Sequence, residues 1–238
     1  MTLPAVIVMC KAPRAGEAKT RLAPVLSDAG AAALAACLFV DACACARAAA
    51  DELVVAYAPA DGRAALADLL RGRDADGFKE PVRWMEQQGG DLGERLTSII
   101  GRVFDAGLGP VAVLGTDSPT LPAAYVARAL DALACEEADA ALGPADDGGY
   151  YLVGLARPAP ELFRGVEWST PRAYAQTAAN AARLRLRLLE LPLWYDVDTP
   201  ADLRRLRAEL STDEQARRRA PATYQWLKSR EADKSREP

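Results

Sequence analysis

The chain has 238 residues, half of them hydrophobic, which is enough to bury a sizeable core and excludes a disordered or fibrous protein. Its 29 Lys and Arg against 33 Asp and Glu leave a net charge of −4, a poor match to a coat for nucleic acid or anionic membrane. Histidine is absent, which removes imidazole triads, imidazole bases and His-ligated zinc and leaves chemistry to carboxylates, lysine, arginine, hydroxyls or a metal.

Short β-rich apolar runs alternate with helical patterns along the chain. Ala5–Met9 reads as the first strand, after an N-terminus lacking the basic start and small-residue cleavage site of a secretory signal. A helix over 28–49 follows, then strand Leu53–Tyr57, a helix over 62–71, strand Val82–Met85 and a helix over 92–106. The uninterrupted run Val111–Leu114 is the clearest central strand, and a helix over 122–135 comes after it. Strands Ala138–Leu142 and Tyr151–Leu155 are separated by Asp146-Asp147-Gly148-Gly149, a turn and not a helix, which predicts a local antiparallel excursion. A helix over 172–184, strand Leu186–Leu191 and a helix over 200–210 complete the pattern. Runs apolar on both faces and separated by helices predict one Rossmann-like α/β domain, its mostly parallel mixed sheet covered by helices on both sides.

This domain is expected over residues 1–211, with 212–238 forming a C-terminal helix and tail. Arg217-Arg218-Arg219 is expected on the solvated face of that helix, anchored by Tyr224, Trp226 and Leu227, and the final ten residues are expected to fray. Cys10, Cys37, Cys43, Cys45 and Cys135 form no CxxC pair and read as buried, reduced packing residues. No segment offers roughly 18 uninterrupted apolar residues, so a cytoplasmic protein without a membrane span is expected.

In an open α/β sheet, ligands bind at the carboxyl ends of the strands. The loop after the first strand, Lys11 to Pro24, carries Lys11, Arg14, Lys19 and Arg21 around Gly16 and Thr20. Amides near the glycine give directional hydrogen bonds and lysine a mobile charge, a suitable cradle for a polyphosphate. The spacing is neither a P-loop nor GxGxxG, and a basic surface loop is the plainer alternative.

Residues 115–122, Gly-Thr-Asp-Ser-Pro-Thr-Leu-Pro, begin where the central strand ends and place Asp117 at the sheet edge. There it can be a hard oxygen ligand for Mg²⁺ or Mn²⁺, or simply a turn residue. In Asp196-Val197-Asp198-Thr199-Pro200-Ala201-Asp202, Thr199 and Asp202 make a capping-box-like helix start. Asp198 is left without a local duty and is the favoured second metal ligand, with Asp196 in reserve. Asp147 falls at the mouth of the cleft in a good tight-turn sequence. Gln88 is a candidate nucleotide contact, whereas Asp91 reads equally as a helix cap and Thr170 first as one.

Together, the KTRLAP loop, GTDSPTLP, DDGGYYLVGL and YDVDTPADL resemble the nucleotide-diphospho-sugar transferase superfamily, the GT-A fold, over about residues 4–210. They resemble more closely a bacterial family of formerly unknown function, labelled a glycosyltransferase and in some genomes linked to arsenosugar biosynthesis. The resemblance implies phosphates near Gly16, Lys19 and Arg21, with Thr20 among the candidate contacts, and a divalent cation, Mg²⁺ or Mn²⁺, at Asp117, with Asp198 as the second candidate ligand. Those two acids match the molybdenum-cofactor and phospholactate guanylyltransferases, while Asp147 matches only the closer family's DGG motif, to which no role attaches. Related pyrophosphorylases often carry two close glycines before Thr-Arg, whereas here Gly16 precedes Glu17-Ala18-Lys19.

Three functions are compatible with this resemblance. The first is glycosyl transfer from a nucleotide sugar to a small-molecule acceptor, with Asp117, Asp147 and Lys19 as catalytic residues. The second is nucleotidylyl transfer from a nucleoside triphosphate with release of pyrophosphate. The third is nucleotide binding without turnover. Nucleic acid is not an expected partner, and the oligomeric state is open.

Overall fold

The computed structural model describes residues 2–71 and 81–234. Its strands are β1 (Leu3–Lys11), β2 (Glu52–Ala58), β3 (Arg83–Glu86), β4 (Leu108–Leu114), β5 (Ala140–Pro144), β6 (Tyr150–Leu155) and β7 (Leu188–Glu190). Its helices are α1 (Ala23–Leu26), α2 (Asp28–Ala49), α3 (Arg63–Arg71), α4 (Leu92–Asp105), α5 (Ala123–Ala134), α6 (Ala173–Arg183), α7 (Pro200–Thr212), α8 (Glu214–Arg219) and α9 (Pro221–Lys234).

The strands form one sheet in the order β3-β2-β1-β4-β6-β5-β7. β1 pairs in parallel with β2 and β4, β2 with β3, and β5 with β7. β6 alone runs against its neighbours β4 and β5, as the turn sequence between β5 and β6 predicts. The fold is therefore a single α/β domain with a mostly parallel, Rossmann-like sheet. Reversal of β6 has a functional consequence: the β5–β6 turn lies at the same edge as the carboxyl ends of β1 and β4.

Alternate residues of the central strands face opposite layers. Val6, Val8 and Cys10 pack with α2, α3 and α5, whereas Ala5 and Ile7 pack with α4 and α6. α2 is apolar almost all round because it is covered twice, by the sheet and α5 on one side and by α9 on the other. Ser27 starts it by accepting a hydrogen bond from Gly30 N at 3.2 Å. Asp41, fully buried in α2, accepts from Ala222 N and Thr223 N at 2.9 Å each and so caps α9.

Two expectations are corrected, for the arginine triplet and for Cys135. The arginine triplet is not one solvated face: Arg217 donates to Leu210 O at 2.6 Å, Arg219 pairs with Asp213 at 3.3 Å, and Arg218 points outward to Glu214. α9, whose start Asp41 caps and whose Leu227 is buried, extends to Lys234, into the stretch expected to fray; residues 235–238 lie outside the described ones. Cys10, Cys43 and Cys45 are buried as expected and Cys37 half-buried, but Cys135, at the end of α5, is exposed.

Candidate active site

The loop after β1 folds on itself through hydrogen bonds from Glu17 N and Ala18 N to Arg14 O, at 3.1 and 3.0 Å. Gly16 takes φ +79° and Lys19 φ +49°, so two left-handed residues shape it. Among the described residues, nothing accepts a hydrogen bond from the amides of Ala15 and Gly16. Lys11, Thr20 and Arg21 are exposed along the loop, and Arg14 pairs with Asp61 beyond β2 at 2.7 Å.

Lys19 turns inward. Its Nζ lies 2.6 Å from Asp117 Oδ1 and 2.6 Å from Asp198 Oδ1, with only 8% of the side chain exposed. Burial opposes its charge, but the two carboxylates outweigh burial and hold the ammonium above the usual lysine pKa.

Three local devices bring these side chains together. The β4 strand ends at Leu114 and delivers Asp117, whose carbonyl accepts from Val197 N at 2.8 Å and so draws 196–198 alongside. Thr199 and Asp202 form the capping box of α7, and Asp202 also accepts from Asp198 N at 3.1 Å, which fixes Asp198 one residue before the N-cap. Asp196 accepts instead from Ser118 Oγ. Burial is the main cause that pushes the Asp196 carboxyl up to about 7; the Ser118 hydrogen bond lowers it, and Asp117, Asp147 and Asp198 raise it. Of the two candidate acids after β7, Asp198 is therefore the one that shares a cation with Asp117.

Asp147 is exposed in the β5–β6 turn, where its Oδ1 accepts from Gly149 N at 2.8 Å. Gly148 beside it takes φ +87°, and a Cβ there would lie 2.2 Å from Pro171 O. The segment before α6 thus sits directly on this turn, with Tyr174 N donating to Gly148 O at 3.0 Å. Arg205 of α7 reaches Asp146 at 2.5 Å and stacks 3.9 Å over the Tyr195 ring, tying the turn to α7.

Gln88 is exposed on the β3 side of the edge. Its neighbour Gln87, which sequence reasoning passed over, donates through Nε2 to Cys10 O at 2.9 Å and Ala56 O at 2.7 Å, bracing the ends of β1 and β2. Asp91 is the N-cap of α4, accepting from Glu94 N at 2.8 Å. Thr170 does not cap α6 directly: its hydroxyl donates to Glu167 O at 2.7 Å and accepts from Arg172 N at 3.3 Å.

Two carboxylates aimed at one cation are the right chemistry for Mg²⁺ or Mn²⁺, which prefer hard oxygen donors and complete their shells with water and phosphate. Among the described residues no three acidic or thiol side chains are grouped to hold a metal alone. A divalent ion held by these two carboxylates would complete its shell with water or phosphate.

Residues 39–170 match the family described as an uncharacterized protein conserved in bacteria, DUF2064. The chain belongs to this family. The match contains Asp117 and Asp147, while Lys19 and Asp198 lie outside it. A protein of Desulfovibrio desulfuricans G20, provisionally named a nucleotide-diphospho-sugar transferase, is 35% identical over 98% of this chain and 96% of its own, with a TM-score of 0.80. A cytidylyltransferase of Leptospira borgpetersenii is similar in fold at 9% identity, covering 99% of this chain and 96% of its own, with a TM-score of 0.59. The fold is also that of CMP:2-keto-3-deoxy-manno-octonic acid synthetase, solved with CTP, at 13% identity over 88% of this chain and 99% of that one, TM-score 0.53. No curated protein matches.

Proposed function

We propose that the protein is a divalent-cation-dependent transferase that uses a nucleotide donor, and that it moves a glycosyl group from a nucleotide sugar to a small-molecule acceptor. The observation that carries this reading is the meeting of Lys19 with Asp117 and Asp198 at the carboxyl edge of β1 and β4. The provisional name of the Desulfovibrio protein supports the nucleotide-sugar donor.

Asp117 and Asp198 would hold Mg²⁺ or Mn²⁺, which when bound supplies positive charge to the donor diphosphate. The amides of Ala15 and Gly16 with Lys19, Thr20 and Arg21 bind that diphosphate and receive its growing negative charge as the bond to the sugar breaks. Asp147 orients the acceptor hydroxyl and takes its proton as the oxygen bonds to the sugar. Gly149 N engages Asp147 Oδ1, so Oδ2 is assigned the acceptor hydroxyl.

Nucleotidylyl transfer is the second reading, favoured by the Lys/Arg loop that resembles guanylyltransferases. A thermal-shift panel of nucleotide sugars and nucleoside triphosphates, with and without Mg²⁺, separates the two. A ligand at 100 times its Kd adds about 2.7 kcal/mol, or about 5–10 °C for a chain of this size. Mg²⁺-dependent stabilisation by one nucleotide sugar, lost in Asp117→Asn, is expected. Stabilisation by a bare triphosphate alone selects nucleotidylyl transfer, binding without product selects a non-catalytic role, and silence across the panel refutes a nucleotide donor.

A further inference from the structure

The Lys19 ammonium fills the point on which Asp117 Oδ1 and Asp198 Oδ1 converge, 2.6 Å from each. A divalent ion bound by those oxygens needs the same volume. It could not share them with an ammonium at hydrogen-bond distance, because repulsion between the two cations would cancel much of the carboxylate attraction. We propose that Lys19 is a displaceable internal counter-ion that closes the carboxylate pair to divalent cations until the ammonium is drawn off toward donor phosphates. This regulation rests on reading Asp117 and Asp198 as the cation ligands.

Two further features fit displacement better than a permanent ion pair. Lysine carries a compact charge on a flexible four-carbon stem, which can swing from carboxylate to phosphate, whereas a planar guanidinium would bind the carboxylates bidentately and stay. The Lys19 backbone also sits at φ +49°, ψ +42°, a left-handed conformation that residues with a Cβ disfavour. The inward pose is therefore joined to a disfavoured backbone, and a ligand that let the loop relax would relieve that backbone as it freed the side chain. Arg21, exposed two residues later, is free to stay with the phosphates while Lys19 moves.

The test uses the full chain and Mn²⁺ alone, with free Mn²⁺ read by electron paramagnetic resonance. Lys19→Met and Lys19→Gln should each bind one Mn²⁺ at least tenfold more tightly than wild type, and adding Asp117→Asn should remove that site. Equal affinity in wild type and both variants, lost in each with Asp117→Asn, overturns the counter-ion role and leaves the cation site standing. No bound Mn²⁺ in any protein overturns the cation site and the proposal with it. Wild type supplies an independent readout that requires no substitution. Acetylation of Lys19 by acetic anhydride, followed by peptide mass, should quicken at least tenfold under saturating Mn²⁺, and an unchanged rate overturns the proposal.

Discussion

Gly148→Ala isolates the contact between the β5–β6 turn and the segment before α6. Glycine is required there twice over. Its φ of +87° is a region that residues with a Cβ avoid, and the added methyl would meet backbone, with Pro171 O at 2.2 Å, Cα at 2.6 Å and C at 2.7 Å. The conformational cost is about 1–2 kcal/mol. Forcing the backbones apart adds about 1–3 kcal/mol, so a loss near 3 kcal/mol is expected, or about 6–12 °C in Tm. Gly101→Ala is the control: it sits inside α4 with nothing within 4 Å of a new Cβ, and should stabilise by about 0.5–1 kcal/mol. Urea unfolding of both variants gives the comparison. A Gly148→Ala loss below about 1 kcal/mol would refute the claim that the two segments are pressed together. Where the variant folds, its transfer rate should fall by about a hundredfold with donor affinity little changed, since about 1 Å of misplacement at Asp147 is enough for that.

Three further outcomes are expected. Asp41→Ala removes both acceptors from the buried start of α9 and should cost about 3 kcal/mol in urea unfolding; a change under about 1 kcal/mol would show that α9 is held otherwise. With a thiol reagent on the native protein, Cys135 should react fast and Cys10, Cys43 and Cys45 only on unfolding, since burial pushes Cys10 and Cys45 up to about 12 and Cys43 well above its usual range; peptide mass after labelling identifies the site. Asp139 accepts from the Arg187 side chain and backbone, which hold its carboxyl down to about 2. Its folded pKa is depressed, so its stabilisation is present above the unfolded value near 4 and lost as pH falls through 2. The urea midpoints of wild type and Asp139→Asn should therefore converge between pH 4 and pH 2, and a constant gap would refute the assignment.

Most of the sheet was legible because its strands are short and apolar on both faces. Val111–Leu114 and Leu53–Tyr57 lie inside β4 and β2, and Asp-Gly-Gly announced the reversal at β6. Edges were less legible. β7 shrinks from the expected six residues to Leu188–Glu190, where Arg185 at φ +56° turns the chain just before it. The outer layer also escaped local reading. α8 breaks from α9 at Ala220, and α9 is anchored by Asp41, 181 residues earlier; an acid inside an apolar helix gives no sign of what it caps.

The candidate site divides in the same way. Asp117 and Asp198 could be placed at the sheet edge because each follows a strand and precedes a recognisable turn or cap. Lys19 could not, since a basic loop predicts outward-facing charge, whereas its side chain turns inward to Asp198, 179 residues along the chain, from a left-handed backbone that local reading does not foresee. The inward pose changes what the loop can do. With Lys19 committed to carboxylates and Arg14 to Asp61, Lys11 and Arg21 are the exposed cations left along this loop among the described residues. Lys19 brings one positive charge to two carboxylates, so the Asp117–Asp198 pair keeps a net negative charge that opposes a diphosphate placed beside it unless a cation comes with it. Tighter nucleotide binding in the presence of a divalent ion is therefore the expected outcome, and equal affinity with and without Mg²⁺ in a binding titration would refute it.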